Sequence, residues 1–347
     1  MASSREIQFP REALAAIITE AQSAEWPASE GNREMEPVLH YLDVPGPRGR
    51  NSEERRIAWW EWNATGEACP GHVVVCVHGL SRQSRDFDVL AQALAPHACV
   101  VCVDVAGRGH SDWLADPMAY QIPTYATDLA VLLAHLRERH AAARGDNGAA
   151  LRIDWVGTSM GGLIGITLAS QPAMGISRLV LNDVGPVIQW EALQRIGTYL
   201  GVQPVYPTEQ AAADAMWAVS QGFGPHTPEQ WLALSRPMLR PLQEGWTLHY
   251  DPAIAVPFRA MLSADPKAAQ QAARDGEAML WQMYDAITAR TLLLRGADSD
   301  LLSPATAQAM TERGPKACCV EFGGVGHAPT LVAADQVTAV RDFLLSP

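Results

Sequence analysis

Residues 153–162 read Ile-Asp-Trp-Val-Gly-Thr-Ser-Met-Gly-Gly, and a stretch rich in Leu, Ile and Ala follows them. An apolar run, then Gly-x-Ser-x-Gly, then a helix-forming stretch predicts a strand, a tight turn and a helix. In that turn the small residues around Ser159 let its hydroxyl stand out of the carboxyl edge of a sheet, and the helix N-terminus favours negative charge there. The segment therefore predicts that Ser159 is an exposed nucleophile.

A serine hydroxyl becomes an effective nucleophile only when a neighbouring base removes its proton. Among the ten histidines, His327 has the position that such a base needs, because it lies in a glycine-rich segment directly after an apolar run at 318–322. Parallel strands end at one sheet edge, so we expect His327 to lie beside Ser159. His78 also ends a predicted strand, and we expect it to support a loop instead.

Acyl transfer also needs donors for the negative oxygen that forms on the reacting carbonyl. The apolar run at 72–78 is followed by Gly79 and Leu80, and a glycine there lets the backbone approach that carbonyl. We expect the N–H groups of Leu80 and of Met160, the residue after the predicted nucleophile, to form this oxyanion hole.

The acid that orients the histidine is expected in the turn after the run at 291–295, which contains Asp298 and Asp300. Residues two apart in an extended segment point the same way, so periodicity does not separate the two. Asp300 stands four residues before Pro304, at the predicted start of a helix, and is the preferred candidate. Asp298 remains the alternative.

Short β-rich runs alternate with helical stretches along most of the chain. The predicted strands are 38–44, 56–62, 72–78, 98–105, 151–156, 176–182, 291–295 and 318–322, and the predicted helices are 85–94, 125–139, 160–170, 304–311 and 335–345. Strand–helix alternation with short connections predicts an α/β fold with a doubly wound, mostly parallel central sheet. The first two runs have no helix between them and are expected to pair antiparallel at one edge.

Residues 187–286 break this rhythm, because they show no strand pattern and contain repeated prolines and many aromatic side chains. About a hundred residues is far longer than an ordinary loop, so this segment is expected to fold as a helical cap inserted into the sheet domain. The expected division is an N-terminal helical extension at 1–36, an α/β core at 37–186 and 287–347, and the cap at 187–286.

The composition of the 347-residue chain, with 48% hydrophobic and 18% charged residues, is that of a packed globular protein. A net charge of −12 disfavours a nucleic-acid partner. No apolar run reaches the roughly 18 residues of a membrane span, and the apolar stretch at 13–18 is too short for a secretory signal, so a cytoplasmic location is expected. No His/Cys cluster has zinc-ligand spacing, and neither a metal nor a cofactor is expected. The sequence does not indicate an oligomeric state.

From about residue 38 to 345 the chain resembles the α/β-hydrolase family in its order Ser…Asp…His, and residues 104–111 resemble the family turn D-x-x-G-x-G-x-S. The resemblance implies the fold and the triad. It also supports Asp300, since the family acid is usually followed by a proline four residues on. The acid usually falls three residues after the glycine, however, and Asp300 falls four after Gly296, which keeps the alternative aspartate open.

Ser159 stands where dehalogenases and soluble epoxide hydrolases of this fold carry aspartate, so the resemblance is to serine enzymes with a large cap. It implies a hydrolase of a carboxylic ester or lactone of a small, largely apolar molecule, with an acyl-enzyme on Ser159. The alternative is a carbon–carbon hydrolase of ring-fission products, which needs a cation for the substrate carboxylate. The candidate cations are Arg82, Arg195, Arg236, Arg240 and Arg259. A third hypothesis is a ligand-binding member of the fold with an idle triad.

Overall fold

The computed structural model describes residues 36–46, 54–144 and 150–346. All but the last residue of the predicted N-terminal extension, 1–36, lies outside this part of the chain, and so does the helix expected around residues 13–18. The eight predicted strands lie within it, and each is present with ends shifted by at most two residues.

The strands of the described residues are β1 (Val38–Val44), β2 (Arg55–Trp62), β3 (His72–Val77), β4 (Cys99–Asp104), β5 (Arg152–Thr158), β6 (Ile176–Asn182), β7 (Leu239–Pro241), β8 (Trp246–Leu248), β9 (Arg290–Gly296) and β10 (Cys318–Phe322). Eight of them form one sheet in the order β1-β2-β4-β3-β5-β6-β9-β10. β2 pairs antiparallel with both β1 and β4, and the remaining neighbours are parallel. The doubly wound, mostly parallel sheet and its antiparallel edge are confirmed.

The described α-helices are α1 (Asp88–Leu94), α2 (Ile122–Arg144), α3 (Met160–Ala169), α4 (Trp190–Tyr199), α5 (Glu209–Ser220), α6 (Pro228–Ser235), α7 (Ala255–Leu262), α8 (Pro266–Asp285), α9 (Pro304–Glu312) and α10 (Ala334–Leu345). Five of these, α4 to α8, lie between β6 and β9. Of the others, α1, α2, α3 and α9 connect strands of the sheet, and α10 follows its last strand.

The central strands are apolar on both faces because helices cover both sides of the sheet. Alternate residues of β3 show this directly. Val73, Val75 and Val77 pack with α2 and α3 in one buried cluster, whereas Val74 and Cys76 pack with α1 and α10 in another. Each such side chain contributes about 1.5–3 kcal/mol through burial, so the two clusters fix the register of the strands.

The turn between β5 and α3 is tight because glycines permit close backbone contacts. Ser159 has φ 51° and ψ −114°, a conformation that is costly for a residue with a side chain. A Cβ at Gly161 would lie 2.0 Å from the carbonyl oxygen of Val77, and one at Gly157 would lie 2.3 Å from the carbonyl oxygen of Gly161. The start of α3 is thereby held against the end of β3.

The segment predicted as a helical cap has helices α4 to α8 and, in addition, the short antiparallel hairpin β7–β8, which the sequence analysis missed. Three-residue strands are too short to produce an alternating pattern. The segment has a buried cluster of its own, formed by Ala212, Ala213, Met216, Trp231, Leu234, Met238 and Leu239. The limits 187 and 286 stay a prediction.

Gly161→Ala is expected to lower the free energy of unfolding by about 1–3 kcal/mol, because the added methyl meets the backbone of β3 and not a movable side chain. Gly276→Ala is the matched control. Gly276 lies on exposed α8, and a methyl added there would meet no neighbouring atom within 4 Å, so the same change should stabilise the helix by up to about 1 kcal/mol. Urea unfolding of both variants measures the difference, and equal stabilities would contradict the close contact.

Candidate active site

Two strand ends bring Ser159 and His327 together. Ser159 follows β5 and caps α3, whereas His327 lies in the loop after β10. Nε2 of His327 lies 2.9 Å from Oγ of Ser159, within hydrogen-bonding distance. The structure therefore places this serine and this histidine in contact, as a nucleophile and a base need to be.

The other nitrogen of the histidine faces Asp183, the residue directly after β6. Nδ1 of His327 lies 2.7 Å from Oδ2 of Asp183. The carboxylate is fully buried and accepts two more hydrogen bonds, from the backbone N–H of Gly296 at 2.9 Å and from Oγ of Ser299 at 2.6 Å. Three donors compensate for the desolvation of the carboxylate and fix its direction.

Asp300 does not contact His327 in the structure. The prediction that the carboxylate of Asp300 faces the ring of His327 is therefore wrong. Asp300 is exposed and accepts a two-pronged ion pair from Arg195 on α4, at 2.7 and 2.9 Å. Asp298 is exposed as well, and its backbone N–H donates to the carbonyl of Val325. The physical reason is that β9 ends at Gly296, so Asp300 lies four residues into the following turn, where its carboxylate pairs with Arg195.

Asp183 was missed because the acid was sought only after the cap. A signal for it exists in the sequence, since Asp183 ends an apolar run next in order to the strand of Ser159. Its φ of 55° lies in the left-handed region, which aspartate tolerates better than most residues. Ser299 shows that the turn after β9 still contributes, but through a hydroxyl that supports the carboxylate.

The two predicted oxyanion donors lie on either side of Ser159. Met160 begins α3, and Leu80 belongs to the loop after β3, in which a Cβ at Gly79 would lie 3.7 Å from Cβ of Ser159. Among the turn and loop hydrogen bonds of the described residues, none uses the N–H of Leu80 or of Met160. Their role as an oxyanion hole stays a prediction.

His78 supports the loop that carries Leu80. Its ring is fully buried; Nδ1 lies 2.7 Å from the carbonyl oxygen of Gly79, and Nε2 accepts the N–H of Val105 at 3.0 Å. Burial, with a smaller contribution from the charges of Arg108 and Arg82, lowers the pKa of His78 from 6.5 to about 3. The ring is therefore neutral around neutral pH, which its acceptor role at Nε2 requires.

A cavity of about 580 Å³ opens above Ser159 and His327, between the sheet edge and the helices of the segment 187–286. This volume is in the ordinary range for a small-molecule site. Most of the lining is apolar and comes from that segment, for example Ile196, Val202, Met216, Phe223, Met238 and Leu248.

Two of the five candidate arginines line the cavity, and each already has a carboxylate partner. Arg82 binds Asp86 through two nitrogens, and Arg195 binds Asp300. The other three point to different partners: Arg236 to Glu209, Arg259 to the carbonyl of Leu200, and Arg240 to the ring of Trp113. The cavity therefore presents no unpaired guanidinium among these candidates.

Clusters of metal-ligating side chains and membrane spans are both absent from residues 36–46, 54–144 and 150–346. These residues contain no group of three or more side chains that could hold a metal ion. None of the helices described there is long and apolar enough to cross a bilayer.

A comparison with protein-family models matches residues 74–340 to the model described as "Alpha/beta hydrolase family". The 3-hydroxybutyrate-oligomer hydrolase of Cupriavidus necator is 42% identical over 311 residues, which cover 88% of this chain and 97% of that protein. The 2-(acetamidomethylene)succinate hydrolase of Mesorhizobium japonicum is 24% identical and covers 79% and 88% of the two chains.

Solved structures give the same result for the fold. An alpha/beta hydrolase from Novosphingobium aromaticivorans superimposes with a TM-score of 0.70 at 33% identity, over 89% of this chain and 98% of that one. The structure of E-2-(acetamidomethylene)succinate hydrolase superimposes with a TM-score of 0.66 at 21% identity, over 88% and 99%, and supports the fold alone.

The buried neutral His78 predicts that stability falls as the solution is acidified. Its pKa is about 6.5 in the unfolded chain and lower in the fold, so between pH 6.5 and about 3 the unfolded state binds more protons. Stability should therefore fall from pH 6.5 downward, by at most about 1.4 kcal/mol per pH unit for this group. His249, whose pKa burial lowers to about 4, adds to the same slope.

Urea unfolding between pH 4.5 and 7.5 measures this slope. His78→Asn should reduce it, whereas the matched change at exposed His97 should leave it as in the parent protein. An unchanged slope in His78→Asn would show that other groups cause the acid sensitivity.

The contacts of the two aspartates predict opposite phenotypes. Asp183→Asn keeps the shape but cannot hold His327 in the required tautomer, so Ser159 should react with a fluorophosphonate on the order of 10⁴-fold more slowly. Asp300→Asn should leave this rate within a few fold, since it removes only an exposed ion pair. Mass spectrometry of the labelled peptide gives the rates. If Asp300→Asn reacted slowly and Asp183→Asn at the parent rate, the orienting acid would be Asp300.

Proposed function

This chain belongs to the alpha/beta hydrolase family, and on that premise we propose that it hydrolyses oligomeric esters of short hydroxy acids through an acyl-enzyme on Ser159. The observation that carries the proposal is the continuous hydrogen-bonded row from Ser159 through His327 to Asp183 at the floor of a largely apolar cavity. A small-molecule substrate is part of the proposal.

The geometry supports a specific division of labour. His327 Nε2 takes the proton of Ser159 as Oγ attacks the ester carbonyl, and Asp183 holds the other ring nitrogen and stabilises the imidazolium. The N–H groups of Leu80 and Met160 bind the oxygen that becomes negative. The imidazolium then gives its proton to the departing alcohol, which leaves an acyl-serine. Water, deprotonated by His327, releases the acid and restores Ser159.

The charges in the cavity favour an ester over an anionic carbon–carbon substrate. Arg82 and Arg195 are the two candidate cations that line it, and both are engaged by carboxylates. A free carboxylate would have to displace Asp86 or Asp300 to be bound there. Neutral ester units need no such exchange and gain from the apolar lining.

The substrate class is supported by the relative from Cupriavidus necator, whose name gives 3-hydroxybutyrate oligomers as its substrate and whose sequence aligns along nearly its full length. An oligoester of this kind is neutral at every ester unit, each of which has a carbonyl, and carries its one carboxylate at the chain end, outside the units that the apolar lining would hold. Tyr199 and Tyr206 line the cavity, and a tyrosine hydroxyl is a donor of the type that carbonyls accept.

We also retain the cytoplasm as the proposed location. The six cysteines are all unpaired, which is typical of proteins in a reducing compartment.

The test compares hydrolysis of 3-hydroxybutyrate dimer, trimer and tetramer with that of p-nitrophenyl butyrate and of a ring-fission product. We expect the oligomers to give the highest kcat/KM. Ser159→Ala should lower kcat about 10⁶-fold, as for loss of the nucleophile in another serine hydrolase. Ser220→Ala, a matched change at another serine of the cavity, should keep the rate within a few fold. Preferred cleavage of the ring-fission product would overturn the proposed substrate class.

A further inference from the structure

Arg108 is a fully buried arginine that lies next to the site without lining the cavity. It is the residue between the two glycines of the turn after β4. Its guanidinium donates from Nε to the carbonyl of Leu80 at 2.9 Å and from Nη1 to the carbonyl of Ala106 at 2.7 Å. Nη1 also donates to the hydroxyl of Tyr125 at 2.9 Å. The side chain is thus held in one conformation by a full set of neighbours.

No ion pair between Arg108 and a carboxylate is found in the part of the chain that the structure describes. Its neighbours are carbonyls, a hydroxyl, and the rings of Tyr120 and Tyr125, whose centroids lie 5.7 and 5.1 Å from Cζ. Burying an arginine in this way is costly. A leucine or methionine would fill the space at lower cost, so stability alone does not account for the guanidinium.

The contacts of Arg108 converge on the two residues that are proposed to bind the oxyanion. Nε holds the carbonyl of Leu80, and Nη2 lies 3.8 Å from Sδ of Met160. One rigid planar group therefore contacts the loop after β3 and the start of α3 at once.

The N–H of Leu80 is fixed from both sides. The peptide that contains it has the carbonyl of Gly79, which is held by His78, whereas the next peptide has the carbonyl of Leu80, which is held by Arg108. Two fixed carbonyls leave the Leu80 N–H little freedom to turn away from the reacting carbonyl.

We propose that Arg108 is a positioning residue for the oxyanion hole. Its side chain holds the N–H donors of Leu80 and Met160 at fixed positions relative to each other. The inference rests on the proposed function for its catalytic consequence. Arg108 does not touch the substrate. Its loss affects the transition state more than substrate binding, since the donors matter most when the carbonyl oxygen becomes negative.

The experiment measures two reactions of the full-length protein. The first is hydrolysis of p-nitrophenyl butyrate, which gives kcat and KM. The second is the rate at which a fluorophosphonate modifies Ser159, which depends on the nucleophile and the oxyanion hole but on no natural substrate. Arg108→Lys keeps the charge and loses the planar fork. Arg108→Gln loses the charge and replaces the guanidinium donors with those of an uncharged amide.

Tyr125→Phe is the matched control. It removes the hydrogen bond from Nη1 of Arg108 and leaves the contacts of Nε with Leu80 and of Nη2 with Met160 in place. Near-ultraviolet circular dichroism and Tm identify the variants that are folded.

We expect both Arg108 variants to lose about 10²-fold in kcat and in the modification rate, as for small misplacements of catalytic groups, with KM within about twofold. Tyr125→Phe should stay within about threefold of the parent. Arg108 variants that are folded and as fast as Tyr125→Phe would overturn the inference, as would a rise in KM at constant kcat.

Three further outcomes are also interpretable. If neither Arg108 variant folds, Met160→Leu removes the sulfur that Nη2 contacts at nearly constant volume, and an unchanged modification rate would overturn the role assigned to that contact. If the parent protein modifies normally but hydrolyses no ester, the proposed function fails while the ratios of modification rates still decide the role of Arg108. A parent protein that is not modified at Ser159 overturns both.

Discussion

The first turn of α3 approaches β3 so closely that no side chain fits at Gly161, and the arrangement of the site depends on this contact. It places the N-terminus of α3 beside the loop that carries Leu80, so the proposed nucleophile and both proposed donors lie within one compact region. It also holds Ser159 in a conformation that is unfavourable for serine alone. The two buried clusters of the sheet supply the stability that maintains this turn.

The other half of the site is built around a buried negative charge. Asp183 has no solvent contact, and its carboxylate is stabilised by a backbone N–H, a hydroxyl and the histidine ring. Two of these donors, Gly296 and Ser299, come from β9 and the turn after it. That turn thus orients Asp183, while Asp300 of the same turn pairs with Arg195 of α4. The proposed acid and the segment above the cavity are therefore linked through a few residues.

Serine and histidine could be predicted because each has a local signature. The Gly-x-Ser-x-Gly turn and the glycine-rich loop of His327 fix their own geometry within a few residues. The acid has no such signature, since a carboxylate at any of several strand ends can face the same ring nitrogen. Asp183 and Asp300 differ only in where the chain turns after β6 and β9, which depends on tertiary packing. The same holds for β7–β8, whose three-residue strands are defined by their pairing and not by a pattern of their own.

The hydroxyl of Ser299 lies 2.6 Å from Oδ2 of Asp183, the oxygen that faces the histidine. Two chain segments, far apart in sequence, therefore meet at the one point in space that a triad acid must occupy. Such an arrangement offers an evolutionary route. A carboxylate acquired in the turn after β9 could replace that of Asp183 before Asp183 is lost, without an inactive intermediate. Homologous enzymes with this arrangement could then share a mechanism while their acids lie at different positions in the chain.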